Sequence, residues 1–231
     1  MPKGKGLCAI KLMKYCFPIH HIPSKRIFDI FFSLFALVFI SPLFISLCVT
    51  IIFTSPGPIF YTSKRIGRGG QIIRCWKFRT MHKDAEKKLN DLLAKNFEYK
   101  KQWEKYHKIQ NDPRITPIGY FLRKTSLDEL PQFINVLLGE LSVVGPRAFA
   151  PEGPTNHFHE EIRKYLGNNT EKILSIRPGL TGIWQVSGRN NLTIQQRVAL
   201  EASYIDNRSF LGDINIIFKT IPVMIFSKGA Y

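Results

Sequence analysis

Asp128 and Glu129 are adjacent carboxylates in the run Arg123-Lys-Thr-Ser-Leu-Asp-Glu-Leu-Pro-Gln132. Neighbouring side chains on a helix point about 100° apart, so the two acids cannot act as one symmetric pair and must take different tasks. One is suited to be a nucleophile or a metal ligand, the other to tune or orient it, and Arg123 suits either a phosphate or an ion pair with them. The same letters also spell a helix start. Ser126 and Glu129 have capping-box spacing, and Asp128 in a first turn complements the helix dipole. Both readings stand at this point. Two further runs offer cations from turns. Ser142-Val-Val-Gly-Pro146-Arg147 is an apolar, strand-like run that ends by presenting an arginine, a group suited to bidentate phosphate binding or to pairing. Arg177-Pro-Gly-Leu-Thr-Gly-Ile-Trp-Gln-Val-Ser-Gly-Arg189-Asn190 holds three glycines between two arginines. Close backbone approach and free N–H groups there suit an anion, and a loop that only turns the chain fits equally. His157 and His159 have strand spacing but no carboxylate or cysteine companion, and read as surface residues.

Several elements must position these groups. After Thr54-Ser-Pro-Gly-Pro58, residues 59–61 and 72–80 flank a Gly67-Arg-Gly-Gly70 turn and read as a hairpin. The period of two puts Cys75, Lys77 and Arg79 on one face of its second strand, with Trp76 and Phe78 on the other. The glycine turn lacks the lysine and Ser/Thr of a phosphate loop. Residues 83–108 mix eight lysines with five acids around Leu89, Leu92, Leu93, Phe97 and Trp103, a pattern for amphipathic surface helices. Thr193 with Gln196 predicts a capping-box start for a helix through about Ile205. The apolar tail, residues 214–226, is short and contains a proline, which suits an interfacial or a core helix.

The site also has to be placed in the cell, and charge does that. The 231 residues carry 33 Lys/Arg against 17 Asp/Glu, a net +16, and hydrophobic residues at 45% exclude a disordered chain. Residues 1–29 carry +5, residues 30–53 nothing, residues 54–82 +6, residues 83–108 +3 and residues 109–231 only +2. Eleven of the sixteen charges therefore bracket one apolar stretch of 24 residues, about 36 Å as a helix against roughly 30 Å of bilayer hydrocarbon. It is too long for a signal-peptide core, and no small-residue cleavage site follows. Ser41-Pro42 lies at its midpoint, where proline removes a donor and favours a kink. Both flanks are basic, so the positive-inside rule holds both on the cytoplasmic side. A helix that enters, breaks and returns satisfies both flanks; a kinked span and a buried core helix also remain open. Four cysteines with no Cys-x-x-Cys pair support neither a disulfide framework nor a zinc site. A membrane-surface enzyme acting on phosphates joins these features. The alternative is a non-catalytic, membrane-anchored basic module for anionic lipid or nucleic acid, and the near-neutral balance of residues 109–231 speaks against nucleic acid.

Taken in order, Lys25-Arg-Ile-Phe-Asp29, Ser41-Pro42, Lys77-Phe-Arg-Thr-Met81, Asn111-Asp-Pro-Arg114, Leu127-Asp-Glu-Leu-Pro-Gln132, Val144-Val-Gly-Pro-Arg147 and Arg177-Pro-Gly-Leu-Thr-Gly182 through Gly188-Arg-Asn190 resemble the bacterial sugar transferases, the monotopic phosphoglycosyl transferases. The resemblance covers nearly the whole chain. Residues 111–132 and the terminal Gly229-Ala-Tyr231 are most similar to the undecaprenyl-phosphate galactose or glucose phosphotransferase branch, whose larger members carry N-terminal transmembrane helices absent here. It implies an α+β, mainly helical monotopic protein: a basic segment 1–24, a re-entrant membrane helix 25–56 broken at Ser41-Pro42, and a catalytic domain 57–231 with a small antiparallel hairpin and interfacial helices, on the cytoplasmic face of the bacterial inner membrane. It implies transfer of a sugar 1-phosphate from a UDP-sugar to undecaprenyl phosphate in membrane lipid, with UMP released and no nucleic acid involved; a homo-oligomer is left open. Asp128 resembles the nucleophile that forms a covalent phosphosugar and helps hold Mg²⁺; Glu129 orients or assists it. Lys77, Arg79, Arg123, Pro146, Arg147, Arg177 and Arg189 are the implied phosphate or nucleotide contacts. Two positions depart from the family pattern: Ala148 stands where proline usually follows the Gly-Pro-Arg turn, and Glu201, with Tyr204, stands where Asp is expected.

Overall fold

The apolar stretch forms helix α1, Pro23–Thr54, in the computed structural model, which describes residues 23–106, 109–150 and 158–226. The basic segment up to residue 22, His157 and the terminal Gly229-Ala-Tyr231 lie outside the described residues. At 32 residues α1 is about 48 Å long. The helix runs through Ser41-Pro42 without interruption. Pro42 has no N–H for the carbonyl of Val38, four residues back, and the Ser41 hydroxyl donates to that carbonyl at 2.8 Å instead. Serine before proline thus satisfies the acceptor that proline orphans.

Helix α1 has two apolar faces. Phe32, Ala36, Leu37, Ile40, Phe44, Leu47, Cys48 and Ile51 pack on the rest of the molecule, from one side of Pro42 to the other. Phe31, Phe35, Val38, Phe39, Ile45 and Phe53 stay exposed. A helix with so much open apolar surface is not a core helix, which removes that reading of the sequence.

Strands β1 (Phe60–Ile66) and β2 (Ile72–Phe78) form the expected antiparallel hairpin, with Ser63 opposite Cys75 and Tyr61 opposite Lys77. Its turn places Gly69 and Gly70 at φ 69° and 76°, a region glycine enters freely. The amphipathic stretch divides into α2 (Ala85–Lys95) and α3 (Phe97–Tyr106), and no residue of α2 is buried. Helix α4 (Pro117–Thr125) starts on Thr116, whose hydroxyl accepts from Gly119 N, and a 3-10 turn, Leu127–Glu129, leads into α5 (Gln132–Leu138).

Strand β3 (Ser142–Val144) pairs in parallel with β4 (Gly179–Thr181), a contact with no signature in either three-residue run. Two of the three glycines in the Arg177–Asn190 run, Gly179 and Gly182, serve this pairing. A Cβ at Gly179 would lie 2.1 Å from Gly145 N, and one at Gly182 would lie 2.1 Å from Gly145 O. Gly179 N donates to Pro146 O at 2.8 Å and Gly145 N to Thr181 O at 3.0 Å, so these amides are spent on the pairing rather than open to an anion.

Helices α6 (Phe158–Leu166), α7 (Thr170–Leu174), α8 (Ile183–Ser187), α9 (Ile194–Asp206) and α10 (Phe210–Phe226) complete the described fold. The capping box of α9 forms as read: Thr193 Oγ1 accepts from Gln196 N at 3.2 Å, and Gln196 Oε1 accepts from Thr193 N at 2.9 Å. Helix α10 leaves Phe210, Leu211, Phe218 and Ile221 exposed. Its Asp213 meets Lys25 Nζ at 3.1 Å, and Lys25 also reaches Asp29 at 2.8 Å, which ties the start of α1 to the C-terminal helix.

Candidate active site

Glu129 and Asp128 emerge from the short turn between α4 and α5 because their neighbours are drawn the other way. Leu127 and Leu130 pack with Leu122, Phe133 and Phe78 in the core below α1, which leaves the two acids on the opposite side of the turn. The capping-box reading of this run fails. Ser126 ends α4 in the left-handed conformation, φ 58°, and caps nothing with its side chain, while Glu129 is engaged elsewhere.

Strand alternation brings Lys77 to the acids. Phe78 is buried in the core and the peptide N–H of Trp76 donates to Asn135 Oδ1 at 2.9 Å, so β2 is pinned to α5 with Lys77 facing the turn. Lys77 Nζ lies 2.7 Å from Glu129 Oε1 and 3.3 Å from Asp128 Oδ2. Arg147, delivered by the turn after β3, donates from both terminal nitrogens to both oxygens of Glu129, Nη1 to Oε2 at 2.7 Å. Such fork-on-fork pairs are the strong form of charge-assisted hydrogen bond.

The two acids therefore differ sharply. Burial pushes up on Glu129, but the Arg147 guanidinium and the Lys77 ammonium outweigh it and hold this carboxyl well below the usual range. Burial dominates at Asp128 and, with the neighbouring Glu129 charge, pushes its carboxyl up against the pull of Lys77 and Arg123. Among the described residues only Lys77 bonds to Asp128, through Oδ2, and Oδ1 accepts no hydrogen bond.

The other expected site residues divide. Arg123 donates through Nε to Thr80 Oγ1 at 2.8 Å and is close enough for Asp128 to act on its charge. Arg189 lies near Arg147 and Glu129, with its Nε 3.3 Å from the Gln185 carbonyl. Pro146 is buried and lends its carbonyl to the strand pairing. Arg177 turns away: its Nε donates to Gly139 O at 2.6 Å, at the C-terminal end of α5, where Arg26 also bonds Val136 and Leu137 carbonyls. The expectation that Arg79 projects with Lys77 is corrected. Strand β2 stops at Phe78, and the buried Arg79 donates to Pro56 O at 2.6 Å and to Ser55 O, closing the end of α1. Ser41 and Pro42 sit mid-helix in α1.

Arg65 was missed. It shares the Lys77 face of the hairpin, feels the charges of Arg147 and Glu129, and makes no hydrogen bond among the described residues. Its alternation with Tyr61 and Ser63 was the available signal. Glu201 was noted only as a departure, yet it accepts from Arg147 N at 3.0 Å, with Arg197 one turn away. The signal was a glutamate on the stripe of Val198 and Ala202, where apolar residues belong.

Residues 20–227 match the sequence family described as bacterial sugar transferase. The exopolysaccharide production protein ExoY of Sinorhizobium fredii is 42% identical over 208 residues, 90% of this chain and 88% of that protein. The undecaprenyl-phosphate galactose phosphotransferase of Salmonella typhimurium is 42% identical over 207 residues, 90% of this chain and 41% of that one. The UDP-glucose:undecaprenyl-phosphate glucose-1-phosphate transferase of Escherichia coli is 36% identical over 212 residues, 90% of this chain and again 41% of the relative.

Proposed function

Because the chain belongs to the bacterial sugar transferase family, we propose that it transfers a hexose 1-phosphate, glucose or galactose, from a UDP-sugar to undecaprenyl phosphate and releases UMP. This is a first membrane step in assembling a surface glycan such as an exopolysaccharide. The observation that carries the reading is the unequal treatment of the two acids. Glu129 is saturated by Arg147 and Lys77, whereas Asp128 keeps one oxygen free at the edge of a cationic site.

In this reading an Asp128 oxygen attacks the sugar-bearing phosphorus of the donor. The bond from that phosphorus to the bridging oxygen breaks, and UMP leaves with the electron pair. An oxygen of the lipid phosphate then attacks the same phosphorus and displaces the carboxylate, so one difficult displacement becomes two. Lys77 and Arg147 fix Glu129, which holds the cations that face the diphosphate, and Arg123, Arg189 and Arg65 are placed to meet phosphate oxygens. Among the described residues no three His, Cys, Asp or Glu side chains gather as a metal cage. Mg²⁺ commonly takes one or two carboxylates plus substrate phosphates, and Asp128 would be the carboxylate of this site to hold it beside the diphosphate. When bound, it supplies neutralisation of the charge that develops on the departing phosphate.

The topology read from the sequence extends this proposal: α1 enters and leaves the membrane on the cytoplasmic side. Support comes from the grip on both ends, Lys25 with Asp213 at one and Arg79 with the Ser55 and Pro56 carbonyls at the other. A helix crossing the bilayer would carry one of those ends away from the body that holds them both.

Detergent-solubilised protein with Mg²⁺ and a panel of UDP-glucose, UDP-galactose and N-acetylated UDP-sugars tests the reaction. UMP release that depends on polyprenyl phosphate is expected from one hexose donor. With donor alone, the protein should gain the mass of a hexosyl phosphate, and Asp128→Asn should remove both the adduct and turnover while keeping the fold. An adduct that survives in Asp128→Asn would move the nucleophile elsewhere.

A further inference from the structure

Helix α9 turns two charged side chains inward, one turn apart, behind the active site rather than into it. Glu201 is 0% exposed. Its Oε1 accepts the N–H of Arg147 at 3.0 Å, while its Oε2 is buried with no partner. Arg197 donates from Nη2 to the Arg147 carbonyl at 3.1 Å. The Arg197 guanidinium is held between the rings of Phe149, 4.0 Å from its centroid, and Trp184, 4.5 Å, a stacking that fixes its plane. Both backbone groups of residue 147 are thus gripped by one helix, and the side chain of the same residue grips Glu129.

A buried carboxylate with an orphaned oxygen is a costly way to fill a core position, and a leucine between Val198 and Ala202 would fill it without that cost. The acid's use therefore lies in what it holds. Strand β3 ends at Val144, and beyond it a single bridge pairs residue 147 with Gly179 through the Pro146 carbonyl at 2.8 Å; the N–H and carbonyl of Arg147 itself go to Glu201 and Arg197, which thereby set the rotation of that backbone. Its rotation would swing the guanidinium off Glu129 and release Lys77 to pair more closely with Asp128.

We propose that Glu201 and Arg197 are positioning residues for the transfer reaction: together they hold the peptide of residue 147 so that its guanidinium meets both oxygens of Glu129 and Asp128 stays free. The proposal rests on the reaction assigned above. The charged groups facing Glu201 are Arg147 from the turn after β3 and Arg197 from its own helix, and Tyr165 of α6 faces Arg197 in turn. Burial pushes the Glu201 carboxyl up to about 7 against the pull of both arginines. The carboxylate accepts the Arg147 N–H more strongly than the neutral acid does, so ionisation of Glu201 tightens the grip as pH rises through neutrality.

The experiment measures UMP release by the full chain against donor concentration and pH for the wild type, Glu201→Ala, Glu201→Gln and Arg197→Lys. Glu201→Ala should lower kcat at least tenfold with donor KM within threefold. Glu201→Gln keeps an acceptor for the Arg147 N–H; it should recover at least half of the wild-type kcat at pH 7 and lose the limb of the profile near pH 7. Arg197→Lys keeps the charge but not the plane held between two rings, and should also lower kcat at least fivefold. If Glu201→Ala gives no cooperative melt, the glutamine and Arg197→Lys variants decide alone. Wild-type kcat in Glu201→Ala or in Arg197→Lys overturns the proposal. So does a glutamine variant that retains the limb or is as slow as the alanine variant. A wild-type protein that releases no UMP from any donor rejects the assigned reaction instead, which separates the two failures.

Discussion

Glu129 and Asp128 differ in the reach of their neighbours, not in chemistry. Among the described residues Arg147 and Lys77 both bond to Glu129, but only Lys77, at 3.3 Å, bonds to Asp128. Replacing Glu129 by Gln leaves the Arg147 fork facing a neutral amide in a mostly buried site. Breaking one side of such a pair costs about 3 kcal/mol, and denaturant unfolding of Glu129→Gln should show a loss of that order. Asp128 adds a pH dependence of its own to that of Glu201. Its carboxyl is raised by burial, so acidification protonates the nucleophile at a higher pH than it would an ordinary aspartate. Lys77 opposes that shift, and Lys77→Gln should move the acid limb of kcat/KM to still higher pH. A limb that stays in place or moves down in that variant would mean that Asp128 is not the group being titrated.

At the scale of elements, what was legible was local. The α9 capping box is decided by residues three apart, and the β1–β2 hairpin by alternation around a glycine turn, so both could be read from short windows. Long-range partners overrode local signals elsewhere. The Ser126–Glu129 spacing is that of a capping box, yet Arg147, eighteen residues on, claims the glutamate. Arg79 follows the β2 alternation in sequence but leaves it in space, because the open carbonyls at the end of α1 offer a buried partner. The β3–β4 pairing joins three-residue runs with more than thirty residues between them, and only the glycines hint at it. They hinted in the wrong terms, as a loop for anions, when the demand was for backbone contact. That demand predicts a large effect from a small change. In Gly179→Ala the added methyl meets Gly145 N at 2.1 Å, so β3 and β4 must part and carry Arg147 with them. Overpacking of this kind costs about 1–3 kcal/mol or more. Thermal unfolding should show that loss, with UMP release falling further than the fraction unfolded explains, whereas Gly167→Ala, with open space around it, should lose only the smaller cost of its positive φ.

For the whole molecule, the division of charge read from the sequence and the packing of α1 make one argument. Eleven of the sixteen net charges fall in the first 82 residues, on both sides of an apolar stretch. In the fold, one face of that stretch is covered by the body, and the opposite face stays open with Phe31, Phe35, Phe39 and Phe53 on it. Anionic headgroups complement the flanks and acyl chains complement the open face, so membrane binding draws on both terms at once. The direction of the flanks is then the decisive quantity. A protein that crosses once must place Ser24 and Gln71 on opposite sides, whereas one held by Lys25 and Arg79 to the same body must place them together. Both positions are exposed and lie outside the active site. With Cys8 and Cys16 replaced by serine, Ser24→Cys and Gln71→Cys should each react with an impermeant maleimide in inverted inner-membrane vesicles and in neither case in intact spheroplasts. Labelling of one from each side would make α1 a span, with the contacts at one of its ends broken in the membrane.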